Sequence, residues 1–210
     1  MNPRVKGILQ VNAAVLLWGG SAMFSKGVDL PIPDLLFLRS LFGVVILIPF
    51  ILIMKVDFRP KRAKDYGLYL LLGVALGLHW ILYYEALRVA AAVAILSLHI
   101  YPVMTTLIEP FVFGKTIRRI DIVSAVAVLI GLAIMTPEIS FSNDTTRCIL
   151  LGIASGVFFM ARNLLTRKYA SSHSSASLLL WQMLVIMAML AYAPIDRKST
   201  RLNSSHGKLS

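Results

Sequence analysis

Two histidines and two glutamates stand inside stretches of the chain that are otherwise almost wholly apolar. His79 and Glu85 interrupt the run from Tyr66 to Leu87, while His99, Tyr101-Pro102 and Glu109 interrupt the run from Ala90 to Phe113. Each run has the roughly 20 residues, at 1.5 Å apiece, that cross a bilayer's hydrocarbon core. An ionisable group at such depth costs roughly 2.5–3.5 kcal/mol on insertion scales, so it faces a polar cavity or a partner. His79 lies thirteen residues into its run and His99 nine residues into the next. With only Arg88-Val89 between the runs, they form a tight hairpin, and both imidazoles fall roughly 17–20 Å from the same boundary. Imidazole titrates near neutrality. The pair therefore reads as a proton-responsive or solute-binding site at mid-membrane, or as two neutral rings each bonded to a neighbouring helix.

Other polar residues raise the same question. Arg39 is about one turn inside a second apolar stretch, where snorkelling to the interface would also account for it. Glu85 and Lys26 fall at a similar depth, so the three can form an ion cluster acting as an outer gate. Glu109 is placed to pair with Lys115 or a loop arginine. Arg162 poses the same choice as Arg39. Trp18 is too deep for an interfacial aromatic belt, while Trp80 and Tyr101 suit packing as well as solute stacking.

These residues are positioned by a chain of 210 residues that is 58% hydrophobic and 15% charged, against about 25% charge in soluble domains. Its mean hydropathy is +0.77. The apolar residues come in blocks, and seven spans can be drawn: Ile8–Phe24, Leu35–Met54, Tyr66–Leu87, Ala90–Phe113, Ile120–Met135, Cys148–Thr166 and Ala176–Pro194. The expected class is an all-α polytopic membrane protein. The net charge of +11 sits in short loops, which fits a membrane protein rather than a nucleic-acid binder. With the N-terminus inside, twelve basic residues flank the cytoplasmic ends of the spans and three (Lys26, Arg88, Arg147) the outer ends. The expectation is a plasma membrane, such as a bacterial inner membrane, with the N-terminus cytoplasmic. The single Cys148 rules out an intramolecular disulfide and a thiolate zinc cluster. No cleavable signal peptide is read in the first block.

Small residues predict close helix contacts, at Gly73-x-x-x-Gly77 and Gly152-x-x-x-Gly156. Pro49 and Pro102 predict interrupted hydrogen-bond ladders, tolerated where a neighbour or cavity satisfies the freed carbonyl. A faint repeat aligns Ala13…Trp18…Ser25-Lys26 with Ala154…Phe159…Thr166-Arg167, and Leu38-Arg39 then falls near Trp181-Gln182. Its copies would have opposite topology, the inverted-repeat plan of many secondary transporters. After the last block, Asp196 to His206 looks like the in-frame translation of a sequencing-library adapter. Residues 196–210 are therefore set apart as a non-native tail, with the natural product expected to continue past Ile195.

Trp18-Gly19-Gly20, Arg39 after the Pro31-Ile32-Pro33-Asp34 turn, Tyr83-Tyr84-Glu85-Ala86-Leu87 running into Ala90-Ala91-Ala92, Pro102 and Gly131 together resemble the EamA domain of the drug/metabolite transporter superfamily. The resemblance implies one five-helix repeat over residues 1–136 and the first two helices of a second over 137–195, as part of a ten-helix inverted-repeat carrier. It further implies alternating-access movement of a small metabolite, amino-acid-like or a related organic solute. Where the family commonly has an acidic residue after the glycine closing span four, this chain has Lys115 after Gly114, so no role of that acid carries over. The candidate solute-lining residues are Trp18, Arg39, His79, Tyr83, His99 and Tyr101, with Lys26 and Glu85 as a gate. No catalytic residue, metal site or cofactor is expected. The expected partners are a small-molecule solute and the lipid bilayer, not nucleic acid, with a homodimer left open. The rival readings are a membrane-embedded enzyme and a non-transporting receptor or scaffold. Isolated histidines on separate helices, with no paired carboxylates nearby, weigh against the enzyme.

Overall fold

The computed structural model describes residues 5–13, 16, 30–114, 116–134 and 144–192. The candidate residues Trp18 and Lys26, and the tail from residue 196, lie outside the described residues. The chain divides into two units at Pro31. In the first, residues 5–13 are helical (α1). The second contains α2 (Ile32–Ile53), α3 (Ala63–Val89), α4 (Ala91–Leu98), α5 (Ile100–Phe113), α6 (Arg119–Ile134), α7 (Asp144–Tyr169) and α8 (Ser175–Leu190). No strand occurs among the described residues.

Among the described residues, four stretches are long and apolar enough to cross a membrane: Ile32–Ile53, Ala63–Val89, Ala91–Phe113 and Asp144–Tyr169. They coincide with the expected second, third, fourth and sixth spans to within a few residues. The fifth and seventh appear as helices of 16 described residues each, about 24 Å of rise.

The packing centres on α3, which lies against α7, α8, α4 and α2. Its small residues make this approach physically available. A Cβ built on Gly73 would fall 2.4 Å from the Val185 side chain, and one on Gly77 would touch Ile186 and Met189 at 3.4 Å. The second glycine pair does the same for α7: Gly152 meets Ser97 at 2.5 Å and Gly156 meets the Leu98 carbonyl at 3.3 Å. Both glycine pairs therefore mark helix crossings, α3 with α8 and α7 with α4. Contacts between Cys148 and Ala86, and between Ser155 and His79, set α3 antiparallel to α7. Buried side chains of α3, α7 and α8, including Leu76, Ala86, Leu87, Cys148 and Ile186, form the main core.

One end of the bundle is tied shut across the loops. Trp181 Nε1 donates to the Phe58 carbonyl at 2.9 Å, and the Trp181 ring stacks on Tyr69 with centroids 5.3 Å apart. His173 approaches Asp65 at 3.4 Å, both side chains being only 10% exposed. Asp65 also accepts from the backbone N–H groups of Lys61 and Arg62 at 2.8 Å, closing the first turn of α3. At the same end Glu109 pairs with Arg167, in the last turn of α7, at 2.5 Å; Lys115, the other partner expected for it, lies outside the described residues.

The two prolines act differently. Pro49 stays inside an unbroken α2. Pro102 lies just beyond a break at His99, whose φ of −66° and ψ of 3° separate α4 from α5. Lacking an N–H, Pro102 leaves the Leu98 carbonyl without its usual helical donor, and that carbonyl abuts Gly156 of α7.

Candidate functional site

The broken α4–α5 helix, α3 and α7 meet around His79, which is 3% exposed. Ser155 sits within the Gly152-x-x-x-Gly156 segment that lets α7 come close, and its hydroxyl is thereby delivered to the α3 backbone. Ser155 Oγ donates to the His79 carbonyl at 3.0 Å. With its one proton committed, Oγ accepts from His79 Nδ1–H at 2.8 Å; the Ser155 carbonyl lies 3.2 Å from the same nitrogen. That bonding assigns the Nδ1–H tautomer. Nε2 is left as an acceptor with no hydrogen-bond partner among the described residues.

Aromatic rings frame the imidazole. Phe159 stacks on it at 4.5 Å and 24°, and Tyr83 lies at 6.0 Å and 13°. Tyr101 meets Phe159 edge-on at 4.7 Å. Such stacked and T-shaped pairs hold ring planes in fixed orientation. The result is a rigid layer with one polar acceptor in it, formed by His79, Tyr83, Tyr101 and Phe159.

His99 belongs to the same level but another face. Its neighbours Leu98 and Ile100 pack on Gly156, one residue from Ser155. Its own side chain is exposed, its Nδ1 hydrogen-bonds to the Ile95 carbonyl at 2.6 Å, and its ring is 6.4 Å from that of Tyr101. The structure thus brings His79, Tyr83 and Tyr101 together and places His99 at the rim.

Arg39 of α2 is half-buried and turned toward α3. Its guanidinium lies 4.5 Å from the Trp80 ring centroid and 5.9 Å from that of Tyr84, and it donates to the Tyr84 hydroxyl. Glu85, one residue on, is exposed and forms no ion pair with Arg39 among the described residues. On the other side of His79, Arg162 Nε donates to Gln182 Oε1 at 2.8 Å, and its Nη1 to Asn163 Oδ1 at 3.1 Å. Gln182 is fully buried and donates in turn to the Leu178 carbonyl at 2.8 Å.

Two clefts lie apart from this cluster. One of about 260 Å³ is lined by Lys61, Lys64, Leu68 and His173, and one of about 680 Å³ by Thr106, Glu109, Arg118 and Asp121. Both open near helix ends and hold none of the deep residues, so the deep cluster, with its polar groups inside the membrane stretch, is the stronger functional candidate. No group of three or more histidine, cysteine, aspartate or glutamate side chains among the described residues is placed to hold a metal ion.

Ser155, Phe159, Gln182 and the Tyr84 hydroxyl were not singled out from sequence for this site. Gln182 carried a usable signal, as an amide inside an apolar stretch. Ser155 carried one as the polar residue inside a glycine pair.

Against known protein families, residues 5–136 match the EamA-like transporter family. No curated protein and no solved structure matches the chain.

Proposed function

The chain belongs to the EamA-like transporter family, and on that footing we propose that it is a secondary carrier moving a small organic solute past His79 by alternating access. Membership makes it a membrane transporter of the drug/metabolite kind; the solute and the cycle are inferred from the site. The observation that carries the reading is the buried imidazole, held by Ser155 and framed by Phe159, Tyr83 and Tyr101, beside a helix broken at the same level. Breaks at mid-membrane free backbone groups where irregular chain lines a pathway. His79 Nε2 offers an acceptor there, and the rings offer faces for an apolar or aromatic portion of the solute. An amino-acid-like metabolite suits such a lining.

The two-repeat plan, residues 1–136 and 137–195, draws support from one contact. The faint repeat makes α2 and α8 equivalent, and these two helices pack on each other. Gly43 lies near Met183, and the loop after α2 reaches Trp181 and Ser177, so they run antiparallel. Equivalent helices meeting in opposite directions are what a two-fold axis in the membrane plane produces. Arg39, His99 and Tyr101 extend the proposed lining, with Glu85 proposed for the gate; Trp18 and Lys26, named with them from the sequence, lie outside the described residues.

Saturable, counterflow-competent solute movement in proteoliposomes tests the carrier; a strictly linear leak at all concentrations contradicts it. Orientation is tested separately, with the basic loops and hence the N-terminus proposed to be cytoplasmic at the plasma membrane. In a Cys148→Ser background, Lys61→Cys should resist a membrane-impermeant maleimide in intact cells, while Arg147→Cys reacts. Both native side chains are exposed, so access is decided by sidedness. The reverse pattern would invert the topology.

A further inference from the structure

Arg39 and Arg162 share an uncommon situation: each is a half-buried cation inside a membrane-spanning helix, and neither meets a carboxylate among the described residues. Arg39 is answered by the Trp80 face and the Tyr84 hydroxyl. Arg162 is answered by the amide oxygens of Gln182 and Asn163. Neutral acceptors and ring faces orient a guanidinium without cancelling its charge, and Coulomb attraction for an anion strengthens where water is scarce. A guanidinium also presents several N–H donors in a planar fork that matches carboxylate or phosphate oxygens.

Their placement along the bundle adds direction. Trp80 and Tyr84, which hold Arg39, lie on α3 opposite the Cys148 to Ser155 part of the antiparallel α7. Arg162 is roughly ten residues further along α7, or about 15 Å at 1.5 Å per residue. His79, opposite Ser155, and Phe159 fall between them along α7, with Tyr83 at the level of Arg39. Each arginine is seven residues from an end of its helix, Arg39 from Ile32 and Arg162 from Tyr169.

We propose that Arg39 and Arg162 are two successive stations, on opposite sides of the His79 layer, for a solute bearing a carboxylate or phosphate group. This rests on the carrier reading and narrows it: the solute is an organic anion or carries an anionic head, passed from one guanidinium to the other. Each station exchanges its neutral partners for the solute's oxyanion, and the aromatic layer receives the solute's body.

The test is equilibrium binding to the full chain in phosphatidylcholine nanodiscs, with phenylacetate, phenyl phosphate and the neutral phenylacetamide as probes. At least one oxyanion should bind about 10-fold or more tightly than the amide, equal to 1.4 kcal/mol. Arg39→Gln and Arg162→Gln should each weaken that preference, and the double variant should abolish it. Arg39→Lys and Arg162→Lys should restore part of it, separating lost charge from lost folding. Equal binding of amide and oxyanions, or a preference surviving in the double glutamine variant, would overturn the stations. So would loss of probe binding on replacing the lipid by phosphatidylglycerol, which would make a lipid headgroup the occupant. Saturable counterflow of neutral or cationic solutes alone would remove the stations and leave the carrier, whereas absence of saturable flux for every solute would remove the carrier itself.

Discussion

Placing valine at Gly152 is expected to push α4 off α7 and destabilise the bundle, while valine at Gly131 is silent. A Cβ at Gly152 would fall 2.5 Å from that of Ser97, with the backbone of Ala94 and Leu98 3.4 Å away. Those neighbours are a short side chain and main-chain atoms, so there is no flexible tip to swing aside. Overpacking of this kind costs about 1–3 kcal/mol and more when backbone must move. Gly131 has nothing within 4 Å of its built Cβ. Denaturant titration in mixed micelles, followed by helicity, compares the two. Equal midpoints would mean that the α4–α7 crossing is not the close contact described. The same displacement would move Ser155 away from His79, so any activity should fall with stability in Gly152→Val and remain in Gly131→Val.

His79→Ala is expected to lower solute flux about 10-fold or more with the amount of inserted protein near normal. It removes the acceptor Nε2 and the ring on which Phe159 stacks, while Ser155 keeps its bond to the residue-79 carbonyl. One hydrogen bond to a solute is worth about 0.5–1.5 kcal/mol, more to a charged group, and lost stacking adds to that. Leu78→Ala, at a half-buried neighbouring position, should have a milder effect on flux. His99→Ala should also lower flux, but less, because that ring is exposed and bonded to its own helix. Ser155→Ala should fall between them, since it frees the imidazole to turn without removing it.

The helices were legible because membrane spans announce themselves by length and apolar content. The second, third and fourth spans were found within a few residues, and Pro102 announced the break at His99. Counting residues along each span put the two histidines at one level, and the neighbours of His99 do pack on Gly156 beside the Ser155 that bonds His79. Which way each ring points did not, because facing depends on neighbours far away in sequence. Ser155 bonds His79 across 76 positions, and Trp181 reaches Phe58 across 123. The ion cluster expected for Arg39 with Glu85 and Lys26 shows why depth alone is weak. Arg39 and Glu85 share a level, yet Glu85 points outward and the adjacent Tyr84 takes the guanidinium. One residue on a helix is a turn of about 100°. Lys26 lies outside the described residues. The glycine pairs were more informative, since a missing side chain names the site of a close contact even when the partner is unknown.

Solute is proposed to pass the His79 layer in a protein-mediated, saturable cycle. Counterflow measures this most directly: proteoliposomes carrying the full chain are preloaded with a candidate metabolite mixture and diluted into trace labelled solute. Label should accumulate transiently above equilibrium, saturating with internal solute, and this should be lost in His79→Ala vesicles that contain equal protein. Label entering no faster than in protein-free vesicles, or accumulating equally with and without His79, would contradict it.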